Sequence, residues 1–286
     1  YYDRYPLGLR ATHTLLQVLT KRRRGKSVGA RLAKALERLG PAYVKLGQFL
    51  ATRPDMIGVT AAQDLARLKD RLPPFSRTIA LDTINAELGG TEELFAGISE
   101  ATAAASIAQV HQAIVPRKGV VAIKVLRPRI EKKMAKEMAA LRFLAQAIEF
   151  FSPRSRRLEP VQFIDTVTAA TERELDLRLE AGAAAEFREV AEKDGYLTVP
   201  EIDWARSSKR VMTLDWIDGI PLTDTRALDK AGADRGALAL AITRGFLAAA
   251  LDYGFFHADM HEGNLLYGKD GKLWIVDFGI MGRIGH

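Results

Sequence analysis

Residues 256–279 read FHADMHEGNLLYGKDGKLWIVDFG. Asp259 precedes Asn264 by five residues, and Asp277 opens an Asp-Phe-Gly triplet. Each polar group stands on a short loop beside an apolar run. Trp274 to Val276 reads as a short buried strand, so Asp277 falls where that strand ends. Three converging oxygen-bearing side chains suit one or two hard cations such as magnesium. Such ions prefer carboxylate and amide oxygens and complete their shell with water or phosphate. Asp259 has a second use, the orientation of an attacking hydroxyl or water. A single loop aspartate is more often a helix cap or an Asx-turn, so the joint spacing is what carries the chemistry. His261, between Asp259 and Asn264, reads as a structural hydrogen bonder.

The order His257-x-Asp259, Asn264, then Asp277-Phe278-Gly279 resembles the catalytic and metal loops of the protein-kinase fold. That fold requires an upstream strand with a lysine for the nucleotide phosphates, and VVAIKVL supplies Lys124 in a Val-Ala-Ile-Lys context. The hinge beside the adenine is expected after KRVMTL, at Asp215, Trp216 and Ile217 with Leu214 behind them. Before the lysine strand, where a glycine-rich loop is usual, stand Ala103, Ala104, Ala105, Ser106 and Ile107. Each alanine adds a Cβ where backbone amides should approach phosphate and resists positive φ. A stiffer loop with an altered hold on a triphosphate is expected.

Outside these loops, apolar positions at helical spacing make residues 1–72 helical, ending at Pro73-Pro74, and IALDTINAEL is a short helix ending at Gly89-Gly90. SIAQVHQAIV and VVAIKVL, joined by Pro116-Arg117-Lys118-Gly119, form a hairpin. Residues 128–193 return to helix with a break near Ser152-Pro153. LTVPEIDWA and KRVMTL are expected as two strands, followed by a turn-rich WIDGIPL. Residues 236–256 form a buried helix, near bilayer length but interrupted by Arg244 and Asp252. The result is an α+β fold, protein-kinase-like and two-lobed. A helical extension occupies residues 1–90, the small lobe 91–214, and the hinge with the start of the large lobe 215–286. Seven residues follow Gly279, so the large lobe stops shortly after the metal loop.

Several motifs together resemble the UbiB or AarF group of atypical kinase-like proteins, bacterial UbiB members in particular. They are Lys45-Leu46-Gly47-Gln48, AAASIAQVH from Ala103, Lys124, Glu174-Leu175-Asp176 with Glu180, HADMHEGN from His257 and DFGIMGR from Asp277. The resemblance runs from about Leu36 to Arg283. It implies ATP and magnesium as cofactors, ATPase activity in support of ubiquinone synthesis, and a place on the cytoplasmic side of the bacterial inner membrane. Ubiquinone-biosynthesis proteins or lipid precursors are the implied partners. If Asp176 and Glu180 share a helix face, their like charges need nearby cations. Lys124 is the candidate for Glu180, as in the strand-lysine to helix-glutamate pair of kinases, and Lys45 for Glu174 and Asp176. Lys45 and Gln48 face one way on their helix, Gly47 permits close backbone approach, and that helix is expected to lie across the site. The long separation of Lys124 from Glu180 makes the basic helix from Arg129 to Phe151 an insertion.

The 286 residues carry a formal charge of +7, with clusters at Lys21–Lys26, at Arg127 to Lys136 and at Arg154 to Arg157. An anionic partner is favoured. Aromatic residues are not interleaved with these cations as base stacking would want, so a membrane surface ranks above nucleic acid. The chain has no cysteine, which excludes disulfides and thiolate metal sites. HADMHEGN also resembles the loop of aminoglycoside and choline kinases, making a small-molecule phosphotransferase the alternative. The KLGQ helix and the alanine loop oppose it. They equally oppose a true protein kinase, while the intact Lys124, Asp259, Asn264 and Asp277 oppose a non-catalytic scaffold.

Overall fold

In the computed structural model, residues 28–66, 68 and 73–285 are described. The Lys21–Lys26 run lies outside them. Two compact units divide at Lys69/Asp70. The first holds α1 (Val28–Leu39), α2 (Pro41–Ala51), α3 (Pro54–Ile57) and α4 (Val59–Leu65). Its core is Leu36, Leu65 and Leu68, with Tyr43, Leu50 and Ile57 packed against them. A Cβ on Gly47 would run into Leu68 Cδ1 and come within 2.8 Å of Leu36 Cδ1, so Gly47 is required by this leucine core. The close approach expected at Gly47 is made to these two leucines.

The second unit opens with α5 (Arg77–Leu88) and α6 (Thr91–Leu94). The expected 1–90 extension therefore spans the first unit and the first helix of the second. α5 places Ile84 in a core with Phe95, Ile98, Ala113, Val115, Val121, Ile123, Val125 and Val211. An antiparallel sheet in the order β1-β2-β3-β4 presents those residues: β1 (Gly97–Ala104), β2 (Ala108–Val115), β3 (Gly119–Leu126) and β4 (Val211–Asp215). Strand alternation puts Val121, Ile123 and Val125 on one face of β3 and Lys124 on the other.

Between β3 and β4 lie α7 (Ile130–Phe151), a 3-10 turn at Pro153–Leu158, α8 (Pro160–Glu174) and α9 (Leu177–Asp194). The insertion before Glu180 thus includes α8 as well as the basic helix. The run is also broken a second time, at Leu175-Asp176. The Asp176 carboxylate accepts from the Arg178 amide at 3.1 Å and starts α9 as its N-cap. Asp176 and Glu180 are consequently not one helical turn apart on a shared face. LTVPEIDWA is not a strand; Pro200 and the turn at Trp204–Arg206 leave only isolated bridges, Thr198 with Trp274 and Ile202 with Leu214.

β5 (Gly219–Pro221) lies within the stretch expected to be turn. After it come α10 (Thr225–Lys230), α11 (Arg235–Leu251), β6 (Phe255–His257), β7 (Leu265–Gly268), β8 (Leu273–Ile275) and β9 (Met281–Arg283). β5-β7-β8 form one small sheet and β6-β9 another. α11 buries only Gly245, Ala249 and Ala250 and leaves Leu240, Leu247 and Leu251 exposed, against the expectation of a buried helix. No helix among the described residues is long and apolar enough to cross a membrane.

A buried polar knot fastens the entry of this unit to its sheet. Gln109 accepts from the Phe75 amide at 3.0 Å and donates to the Phe75 carbonyl at 3.2 Å. Its Nε2 also faces His111 Nε2 at 2.8 Å, which makes that ring nitrogen the acceptor and leaves Nδ1–H to donate to Ser99 O at 2.9 Å. His111 is fully buried, and burial pushes its imidazole below the ordinary histidine value. As pH falls, the unfolded chain takes up this proton before the folded one does. The stability His111 supports is therefore whole above about pH 6.5 and declines below it. Denaturation midpoints measured from about pH 7.5 to 5.5 should fall, and should fall less in His111→Gln. Equal slopes in the two proteins would refute this.

Candidate active site

Lys124 rises from the β3 face opposite the aliphatic core, and α9 brings Glu180 to it from its first turn. The ammonium lies 2.6 and 2.8 Å from the two carboxylate oxygens of the buried Glu180. Asp277 comes within 3.6 Å of the same ammonium and is 46% exposed. Burial alone would lower the lysine pKa, but the Asp277 and Glu180 charges outweigh it and hold it above ordinary lysine, with Glu174 adding to the negative field. Burial raises the Glu180 carboxyl, Lys124 opposes that, and the Phe278 amide hydrogen-bonds to it. The expected ion pair is formed across a 56-residue separation.

The Asp-Phe-Gly loop is set by aromatic packing. Phe278 is buried, with its ring 6.2 Å from Phe187 on α9 and 6.0 Å from His257. The same helix therefore positions Glu180 and holds the Asp-Phe-Gly segment. His257, buried at the end of β6, donates through Nε2 to the Asp277 carbonyl and accepts the Asp259 amide on Nδ1 at 3.1 Å. One imidazole thus ties the two loops. The Asp277 carboxylate also accepts the Gly279 amide at 3.0 Å.

Asn264 donates its side-chain amide to Asp259 O at 3.2 Å, which leaves its carbonyl oxygen as the atom for a cation. Its own backbone carbonyl accepts from Val276 at 3.0 Å, next to Asp277. His261 Nδ1 accepts the Gly263 amide at 3.0 Å, the structural role expected of it. A Cβ at Gly263 would lie 2.8 Å from that ring. Among the described residues no group of three His, Cys, Asp or Glu side chains is placed to hold a metal alone. Asp277 with Asn264 fits an ion that takes few protein oxygens and completes its shell with phosphate and water, as magnesium does.

β1 ends at Ala104, which pairs with Gln109, and Ala105, Ser106 and Ile107 make the turn. No residue from Ala103 to Ile107 has positive φ, so the alanines sit there without backbone strain. The Ser106 hydroxyl is buried with no hydrogen-bond partner, a donor in the alanine loop that protein atoms do not satisfy. Sequence reasoning counted Arg127 only as surface charge. Its guanidinium instead donates to Ala105 O at 3.0 and 2.8 Å and to Pro73 O at 3.0 Å, and its amide donates to Ile107 O at 2.8 Å. It is the clamp on the alanine loop, and its place three residues after Lys124 was the available signal.

Two further expected site residues of the second unit, Asp176 and Asp215, have other side-chain partners. Asp176 is forked by the Arg178 guanidinium at 2.9 and 2.6 Å, which holds its carboxyl below the usual range. The Asp215 side chain lies 3.4 Å from Lys118, and its amide donates to Glu201 O. Trp216 spends its amide on Val120 O, and Ile217 follows it. Asp215 also lines a cavity of about 720 Å³ with Tyr196, Tyr267 and Trp274, which Lys124, Glu180 and Asp277 do not border. Lys45 and Gln48 both lie on α2 of the first unit, where Lys45 is buried and Gln48 half-buried.

Residues 67–286 match the ABC1 atypical kinase-like domain. The chain is 39% identical over 264 residues to a "Probable protein kinase UbiB" of Marinobacter nauticus, covering 90% of this chain and 48% of that protein. It is likewise 39% identical over 274 residues to the protein of that name in Xanthomonas axonopodis pv. citri, covering 91% and 49%. The chain spans about half the length of these relatives. Among solved structures, a complex of Rv3197 with erythromycin from Mycobacterium tuberculosis matches 97% of this chain and 66% of that one, with a TM-score of 0.63 and 24% identity, and shares the fold. The fold is protein-kinase-like, and the chain belongs to the ABC1 family of atypical kinase-like proteins.

Proposed function

We propose that this chain binds ATP with magnesium and passes the γ-phosphoryl group to water or to an acceptor, in support of ubiquinone biosynthesis at an anionic membrane surface. The observation that carries the reading is the buried Lys124–Glu180 pair reaching the half-exposed Asp277. Lys124 holds the nucleotide phosphates, Asp277 and Asn264 hold magnesium, and Asp259 orients the attacking hydroxyl or water. Bound magnesium neutralises charge on the phosphates. The alanine loop from Ala103 to Ile107, fixed by Arg127, covers the phosphates. The adenine lies beside Asp215 and Ile217, with Ile217 the backbone partner because the two amides before it are committed. The UbiB name of the relatives and the motif resemblance support the pathway and the cytoplasmic face of the inner membrane.

A turnover assay with and without anionic vesicles, and with and without a phenolic quinone precursor, tests the reading. Magnesium-dependent ADP release that rises with anionic vesicles is expected. Absence of magnesium-dependent turnover under every condition would overturn it.

A further inference from the structure

α7 buries Ile130, Met134, Met138, Leu141 and Ala145, one stripe at helical spacing. The stripe ends at Ala145, six residues before the helix does. Around and beyond that point Phe143, Leu144, Ile148, Phe150 and Phe151 are exposed, the three phenylalanines by 73, 74 and 81%. The Phe150 and Phe151 rings meet edge to face at 5.0 Å. One exposed apolar side chain is ordinary, but five within nine residues at a helix end mark an interaction surface.

The surrounding charge selects the partner. Lys132, Lys133 and Lys136 lie on the first turns of α7, and Arg154, Arg156 and Arg157 follow its end. The nearby carboxylates are largely committed. Glu131 pairs with Arg210 at 3.0 Å, Asp165 with Arg142 at 2.7 Å, Glu137 with Lys133 at 3.9 Å, and Glu149 accepts the Val161 amide at 3.1 Å. Arg156 donates to Glu149 O at 2.9 Å, closing the end of α7 and fixing the arginine turn beside the phenylalanines. Aromatic rings bordered by cations, with the local anions occupied, complement an anionic lipid surface: rings enter the headgroup and acyl boundary while cations meet the phosphates.

We infer that the α7 end and the arginine turn after it are the site at which this protein docks on an anionic membrane. The inference rests on the membrane reading above and names its contact surface. Co-sedimentation should compare vesicles of phosphatidylglycerol and phosphatidylethanolamine with vesicles of phosphatidylcholine. The chain should pellet with the first far more than with the second, and less as salt rises. The triple variant F143S/F150S/F151S should bind anionic vesicles at least tenfold more weakly. Its nucleotide affinity and melting temperature should be unchanged, since these rings touch solvent. R154Q/R156Q/R157Q should weaken binding and flatten the salt dependence. Equal binding of the parent chain to both vesicles, or to neither, would overturn the membrane reading and this inference with it. Preferential binding to anionic vesicles that survives the phenylalanine changes would overturn the docking site alone. A dimer, or a complex with a single-stranded oligonucleotide, that is abolished by F143S/F150S/F151S would assign the surface to that partner instead.

Discussion

Lys124→Met is expected to abolish nucleotide turnover and to destabilise the second unit by about 3 kcal/mol, the lower end of what breaking a buried ion pair costs. The cause is Glu180. Its carboxylate is buried against the ammonium at 2.6 Å, and without that cation it is left a buried charge that the Asp277 carboxylate repels. The loss is limited because burial already raises the Glu180 carboxyl, so the orphaned group can take up a proton. The double variant K124M/E180L separates the two effects. Removing both partners should recover most of the stability and none of the turnover, because the desolvation penalty disappears while the phosphate contact stays lost. Urea denaturation and ADP release read the two quantities. A double variant as unstable as the single one would show that the ion pair is not the source of the loss.

Asp277→Asn is expected to leave the fold intact and remove magnesium-dependent nucleotide binding. Asparagine keeps the oxygen that accepts the Gly279 amide, and Glu180 still pairs with Lys124, so the local structure has its supports. It lacks the charge a hard cation requires. Loss of an outer-shell partner typically costs roughly 10–100-fold in metal affinity, and loss of a direct ligand should cost at least as much. Magnesium titrations at fixed nucleotide, with the melting temperature as the control for folding, check this. Unchanged magnesium dependence in D277N would place the metal elsewhere.

The loops and strands carrying this chemistry were legible because local rules set them. The β2–β3 hairpin follows from alternating apolar residues around a Pro-Arg-Lys-Gly turn, and its register places Lys124 opposite Val110. β1 escaped notice because it is an edge strand with only Ile98 buried and two register shifts, so it lacks an alternating pattern. The break before α9 was hidden within an acidic, leucine-rich run, although Asp176 is a good capping residue. LTVPEIDWA has strand-like composition, but Pro200 offers no amide to a ladder. The roles of Arg127, His257 and Phe187 depend on partners 20 or more residues away, which no local pattern encodes. Asp176 is the opposite case: its partner is Arg178, two residues on, a local pairing that the run of charges there made available.

Calorimetric titration of ATP into this chain, once with magnesium and once with a chelator, tests the central claim most directly. One nucleotide–magnesium site built on Lys124, Asp277 and Asn264 predicts a single binding event per chain with magnesium and a much weaker one without it. Equal affinity under both conditions, or no binding in either, would contradict it.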